Sequence, residues 1–258
     1  MDLGLQGKVA LITGASRGIG KGIAEGLAKE GCNLVICARN LEPLQKTAGE
    51  LARHNVKILA VEADITVEAD RSRLISDVQN EFRRLDVLVN NAGGNRRKPF
   101  VETTDDDWDA LLELNFKSHA QVTRLAIPLM RRNNSGSVIF ISSIFGREFG
   151  GVGLSIYNAT KAAMNSLSKV MAAELAPEGI RVNALAPGSI RFPGGSWDKR
   201  CKEAPEEMAE FIKQNLPIGR FGTVEEVANV TAFLASERAS LVTGTCFNVD
   251  GGQSRSLV

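Results

Sequence analysis

The sequence predicts one α/β domain in which a doubly wound parallel sheet carries helices on both faces, a three-layer α/β/α arrangement. From Lys8 onward, short β-branched or apolar runs alternate with helical stretches of roughly ten to twenty residues, the rhythm of repeated β-α units. Those runs are near-continuously apolar instead of alternating in and out, as in strands covered on both faces. The length of 258 residues, with 43% hydrophobic and 24% charged side chains, suits a single soluble unit with a large core.

Taken in order, the strand-like runs are residues 9–13, 33–37, 57–61, 86–90, 137–141, 181–186 and 245–249, which predicts seven strands. After the first run, Ile19, Ile23 and Leu27 recur at helical spacing, and Gly31 supplies a left-handed stop. Thr104 with Asp107 reads as a capping box for the helix of Trp108, Leu111 and Leu112. The acid triplet Asp105, Asp106 and Asp107 is then better read as complementing a helix dipole than as a metal site. Residues 188–215 break the rhythm: they are rich in Gly, Pro and charge, helical only in their second half, and read as a substrate loop. No repeat or linker divides the chain, so residues 1–258 are expected to form a single domain.

Composition excludes several function classes. With 31 basic and 30 acidic residues the net charge is +1, and no basic run is present to track nucleic acid. Cys32, Cys37, Cys201 and Cys246 form no C-x-x-C pair and lie far in sequence from His54 and His119, so neither a metal site nor a disulfide framework is expected. The start MDLGLQGK has no secretory character and no apolar run is long enough to span a bilayer, so a cytoplasmic protein is expected.

The first chemical motif is TGASRGIG, residues 13–20, between the first strand and its helix. Gly14, Gly18 and Gly20 let the backbone turn sharply and approach a diphosphate at a helix N-terminus, although the spacing is G-x3-G-x-G and not G-x-G-x-x-G. At the end of the second strand, where an NAD enzyme would carry an acid for the ribose hydroxyls, the sequence reads CARN. Arg39 there, with Arg17 in the glycine turn, suits a ribose 2′-phosphate, so NADP(H) is expected over NAD(H), which remains possible. The plainer alternative is that Arg39 is a solvated surface residue.

Asn90, Asn91, Ala92 and Gly93 end the fourth strand, at the edge where doubly wound sheets bind ligands. Tyr157, the only tyrosine in the chain, is followed four residues later by Lys161, so the two share a helix face about 6 Å apart. A lysine ammonium beside a phenol is expected to lower its pKa towards working pH, which suits proton transfer. Y-x-x-x-K is common by chance. Together with the glycine turn, NNAG, and Ser142 and Ser143 at the end of the fifth strand, it is no coincidence.

In that combination the sequence resembles the short-chain dehydrogenase/reductase family along nearly its whole length, from LQGKVALITGASRGIG through NNAG, LELNFKS, YNATK and RVNALAPG to VDGG. The resemblance implies a Rossmann-like sheet in the order 3-2-1-4-5-6-7, hydride transfer between nicotinamide and a carbonyl or secondary alcohol, and a homotetramer built on the helices around Leu125 and Leu167. It further implies that Tyr157 is the general acid or base, that Lys161 binds the nicotinamide ribose, that Ser143 holds the substrate oxygen, and that Asn115 holds a water linking Lys161 to solvent. Gly14, Ser16, Arg17, Gly18, Ile19 and Gly20 would take the diphosphate side of the cofactor; Asp64 and Ile65 would meet the adenine. Asn91, Ala92 and Gly93 would line the cofactor, Pro187 and Gly188 would form the turn beside the nicotinamide, and Ile190 would pack at its carboxamide.

Two departures stand out. Ser143 precedes Tyr157 by 14 residues, one more than the family spacing, which leaves Ser142 as a fallback. Phe192 occupies the family's usual threonine position, so one hydrogen bond to the carboxamide is expected to be missing.

The expected substrate wall comprises residues 94–98, 145–154 and 188–197, with Phe145, Phe149, Leu154, Phe192 and Trp197 making it apolar. Arg96, Arg97 and Lys98 could attract an acidic or acyl-thioester substrate or could be a solvated run. Arg131 and Arg132 could dock an acyl carrier protein or serve a helix dipole, and His119 is expected to pack or face solvent. The expected activity is an NADP-preferring carbonyl reductase, with a 3-oxoacyl thioester as leading substrate. A sugar, polyol or cyclic-alcohol dehydrogenase is the alternative, and a non-catalytic dinucleotide sensor the alternative of another class.

Overall fold

The computed structural model describes residues 2–257. Seven strands form one parallel sheet: β1 (Val9–Thr13), β2 (Asn33–Ala38), β3 (Ile58–Glu62), β4 (Val87–Asn90), β5 (Gly136–Ile141), β6 (Ile180–Pro187) and β7 (Cys246–Val249). Their order is β3-β2-β1-β4-β5-β6-β7, as the resemblance implied, and the expected strands differ from these by one residue at some ends.

The continuous apolar runs have a direct cause. In β1, Val9 and Leu11 belong to a core cluster with Leu74, Val122 and Met164, while Ala10 and Ile12 belong to the opposite cluster with Ile23, Leu44 and Val227. Helices α3 (Glu68–Phe82), α5 (Ser118–Arg131) and α6 (Ser155–Leu175) cover the first face; α1 (Gly18–Lys29), α2 (Leu41–Leu51) and α9 (Val224–Ala235) cover the other. Each fully buried Leu or Ile contributes about 1.5–3 kcal/mol, so neither face tolerates a polar strand residue without a partner.

Helix α4 (Asp105–Leu112) opens with the expected capping box: Asp107 N–H donates to Thr104 Oγ1 at 3.2 Å and Thr104 N–H to the Asp107 carboxylate at 3.2 Å. Lys98 and Arg96 also bind Asp107, and the bonds from Lys98 and Thr104 hold its carboxyl well below the ordinary range. The run from α4 to α5 passes through a single π-helical turn, Glu113–Lys117, where Ser118 N–H donates back to the Glu113 carbonyl. The expected substrate loop folds as a bend followed by α7 (Ser196–Glu203) and α8 (Pro205–Asn215). Asp198 fastens it by accepting from Gly194 N–H, Arg191 and Lys202 at 2.7–3.2 Å.

Candidate active site

The carboxyl ends of β1, β4 and β5 bring the predicted residues to one edge of the sheet. Thr13 ties two of these ends together: its hydroxyl accepts the N–H groups of Asn91 and Ala92 at 2.9 and 3.1 Å. Asn91 reciprocates, its amide donating to the carbonyls of Thr13 and Gly14 at 2.9 and 3.1 Å. The Asn91 side chain therefore shapes the glycine turn from beneath.

The glycines answer to that crowding. Gly14 has φ +67°, and a Cβ on it would meet Ala92 Cα at 2.8 Å; one on Gly20 would meet the Asn91 amide at 2.4 Å. The turn delivers the chain into α1, whose N-terminus has no side-chain cap and no acid in its first turn. Uncapped amides at a helix N-terminus with a glycine cradle fit a dinucleotide diphosphate. Arg17 and Arg39 are exposed beside it. Neither has an anionic partner among the described residues, which fits a further phosphate. Ser16 contributes its carbonyl to the Thr47 hydroxyl at 3.0 Å, and Ile19 is half-buried. Asp64 holds Thr66 through one carboxylate oxygen, at 2.8 Å to the hydroxyl and 3.0 Å to the N–H. Arg71, which sequence reading passed over, fixes the Ile65 carbonyl at 2.6 Å.

At the catalytic end, Lys161 is buried, donates from Nζ to the Ile141 carbonyl at 2.8 Å, and lies 5.7 Å from the centre of the Tyr157 ring. Burial pushes its pKa down to about 8. The phenol of Tyr157 moves opposite to expectation: burial raises its pKa, and a hydrogen bond with Ser143 only partly offsets the rise. The reason is geometric. The ammonium sits beneath the ring and spends a proton on strand backbone, so desolvation of the phenolate prevails.

Ser142 and Ser143 separate cleanly. Ser142 donates to the Lys161 carbonyl at 3.2 Å, whereas Ser143 lines the same cavity as Tyr157. The longer connection thus leaves Ser143 facing the phenol. Asn115 lies in the π turn, a distortion common at functional positions. Its amide bridges both backbone groups of Gly94 at 2.9 Å and reaches Thr160 Oγ1 at 3.3 Å. His119 packs beneath NNAG: Nε2 donates to the Ala92 carbonyl at 2.6 Å, and burial, with the Lys161 charge, pushes its pKa down to about 3. That ring is neutral and structural.

A cavity of about 1100 Å³ opens over Tyr157 and Ser143. Phe145, Phe149, Leu154 and Trp197 line it as expected, as do Pro187 and Gly188. Phe192 does not. Its ring lies on Gly18 and Gly195, where an added Cβ would meet it at 2.8 and 2.9 Å, so it pins the substrate loop to the glycine turn. Ile190 is buried and bridged to Gly222, holding the loop's base. Of the three cations read as substrate attractors, Arg96 and Lys98 are bound to Asp107 and only Arg97 lines the cavity. Arg131 pairs through two nitrogens with Glu178 on the surface.

Sequence reading missed the C-terminal segment. Gln253 accepts the Ser189 N–H at 2.7 Å, and Gln253, Arg255 and Ser256 line the cavity. No periodicity marks these residues; the Asp-Gly-Gly turn after β7, which folds the segment back towards the substrate loop, was the available signal.

Comparison with known proteins agrees with this geometry. Residues 14–254 match a family profile described as enoyl-(acyl carrier protein) reductase. The chain is 38% identical to the 3-oxoacyl-(acyl-carrier-protein) reductase FabG of Aquifex aeolicus, over 98% of this chain and 99% of that one. Crystallised L-sorbose reductase of Gluconobacter frateurii, complexed with NADPH and L-sorbose, superposes with a TM-score of 0.95 at 36% identity, covering 100% of both chains. A 7α-hydroxysteroid dehydrogenase complexed with NADH and 7-oxo glycochenodeoxycholic acid superposes with a TM-score of 0.90 at 33% identity, covering 100% of this chain and 98% of that one.

Proposed function

The chain belongs to the short-chain dehydrogenase/reductase family of oxidoreductases, and on that footing we propose that it reduces a carbonyl compound with NADPH, taking 3-oxoacyl thioesters as substrate. The observation that carries the reading is the pairing of the Tyr157 phenol with Ser143 in one cavity, above the buried ammonium of Lys161. A protonated phenol is a general acid.

Ser143 and the Tyr157 hydroxyl bind the substrate oxygen between them. A nicotinamide held there would supply the hydride to the carbonyl carbon. As the C=O double bond opens, the phenolic proton of Tyr157 passes to the oxygen, giving the secondary alcohol. Lys161 stabilises the phenolate left behind and holds the nicotinamide ribose; Asn115 and Thr160 support the route by which the proton is replaced. Arg17 and Arg39 hold the 2′-phosphate, Gly14 to Gly20 the diphosphate, and Asp64 with Ile65 the adenine.

Support for a thioester comes from relatives named for that activity and from a wide cavity with apolar walls and a cationic rim. The L-sorbose reductase likeness, complete over both chains, supports a second reading as a sugar or polyol dehydrogenase. Among the described residues, no helix is long and apolar enough to cross a membrane. Burial pushes the thiols of Cys32 and Cys37 up to about 12, which suits unreactive cysteines of a cytoplasmic protein. A homotetramer built on α5 and α6 is the assembly proposed. NADPH oxidation followed against 3-oxoacyl thioesters, ketoses and cyclic ketones tests the reading; turnover of ketoses alone replaces it with the second.

A further inference from the structure

The cavity over Tyr157 is electrostatically one-sided. Among the described residues, four arginines line it, Arg97, Arg147, Arg200 and Arg255, against one acidic residue, Glu148. One carboxylate cannot balance four cations. Its Oε2 accepts the N–H groups of Arg255 and Ser256 at 2.7 and 3.1 Å and the Ser254 hydroxyl at 3.0 Å, so it is used on the backbone of the C-terminal segment.

Two of the four arginines are engaged. Arg200 binds Glu207 at 3.1 Å and stacks on Trp197, and Arg147 donates to the Cys246 carbonyl and the Asn248 side chain. Arg97 and Arg255 are exposed at the cavity wall and have no anionic partner among the described residues. For Arg97 this differs from its immediate neighbours, both committed to Asp107. The Arg97 guanidinium lies against Gly151, and Arg255 is held by Glu148, so both flank the connection between Ser143 and Tyr157.

A guanidinium offers paired N–H donors that match a carboxylate or phosphate. The cavity is as large as the largest typical ligand pockets, with room for an anionic group as well as the reacting carbonyl. We propose that the substrate carries a carboxylate or phosphate held by Arg97 and Arg255, and that Glu148 is a positioning residue that places Arg255 by gripping the C-terminal backbone. This deepens the reductase reading and rests on it.

The test uses pairs with one anionic and one neutral member: levulinate against its methyl ester for a carboxylate, and acetoacetyl-phosphopantetheine against acetoacetyl-pantetheine for a phosphate. With NADPH, kcat/KM is expected to favour the anionic member of one pair by roughly tenfold, mostly through KM. The pair that shows it identifies the source of the anion. Arg97→Ala and Arg255→Ala each shrink the preference, and Arg96→Ala, which alters a residue bound to Asp107, leaves it intact.

Glu148→Ala separates positioning from bulk electrostatics by sign. Removing a negative charge near an anion should tighten binding; losing the grip on Arg255 should raise KM for the anionic member with kcat little changed, and no further in the double variant with Arg255→Ala. Equal kcat/KM within both pairs overturns the proposal, as does a preference that survives the Arg97→Ala, Arg255→Ala double variant. If no member is reduced, the reductase reading fails by itself. Quenching of tryptophan fluorescence by the same pairs then decides: tighter binding of an anionic member supports the anion site, and equal binding overturns it.

Discussion

Lys161 Nζ lies 5.7 Å from the centre of the Tyr157 ring and donates to the Ile141 carbonyl at 2.8 Å, so strand backbone holds the ammonium beneath the phenol. Burial lowers its pKa to about 8, so the charge is present below that pH and lost above it. kcat/KM for reduction should therefore fall as pH rises through about 8. Lys161→Arg, whose charge does not titrate there, should move the break upward. A pH profile of both proteins checks this, and an unmoved break removes Lys161 as its source.

Tyr157→Phe removes the acidic proton while keeping the ring on Lys161. Turnover should fall by about a hundred- to ten-thousand-fold. NADPH affinity, measured by fluorescence titration, should stay within about threefold, because the phenol contributes a proton and little cofactor binding.

Arg39 stands exposed at the end of β2 with no acid to pair with it among the described residues. Wild type should prefer NADPH to NADH in kcat/KM. Arg39→Asp should cut that ratio by about ten- to a hundredfold, since it replaces a charge-assisted contact with a repulsion. A wild-type preference for NADH would refute the phosphate assignment.

Gly18 combines φ +59° with the Phe192 ring, which a Cβ would meet at 2.8 Å. Gly18→Ala should weaken NADPH binding by roughly tenfold through backbone strain of about 1 kcal/mol plus displacement of the ring. Adding Phe192→Ala should recover part of the loss but not the strain. Isothermal titration of the single and double variants with NADPH reads both contributions.

His119 titrates near 3 in the fold against 6.5 when free of it. Between those values the unfolded chain binds a proton that the folded chain does not, so stability is lost as pH falls from 6.5 towards 3. This group adds at most about 1.4 kcal/mol per pH unit to that slope. Urea unfolding of His119→Gln across the same range should show a slope shallower by up to one proton.

Much of this was readable in advance, for physical reasons. A strand buried on both faces must be apolar throughout, which revealed β1 and β5. A backbone at positive φ against Ala92 must be glycine, which revealed the turn. Other features depend on contacts far apart in sequence. The use of Arg96 and Lys98 by Asp107, the placing of Phe192 over Gly18, and the grip of Glu148 on the C-terminal segment have no local pattern. The direction of the Tyr157 shift was misread because spacing shows that a lysine is near, not that its proton is spent on Ile141 or how dry the phenol is.

The bond between Glu148 and Arg255 joins positions 107 residues apart, so it cannot form until the chain between them has been made. The groups proposed for the adenosine and diphosphate, from Gly14 to Gly93, precede both. At about 5–20 residues per second the ribosome separates the two events by many seconds. The groups proposed to cradle the nucleotide can thus be made while the wall proposed to select the substrate is still to come, so selectivity would follow nucleotide binding.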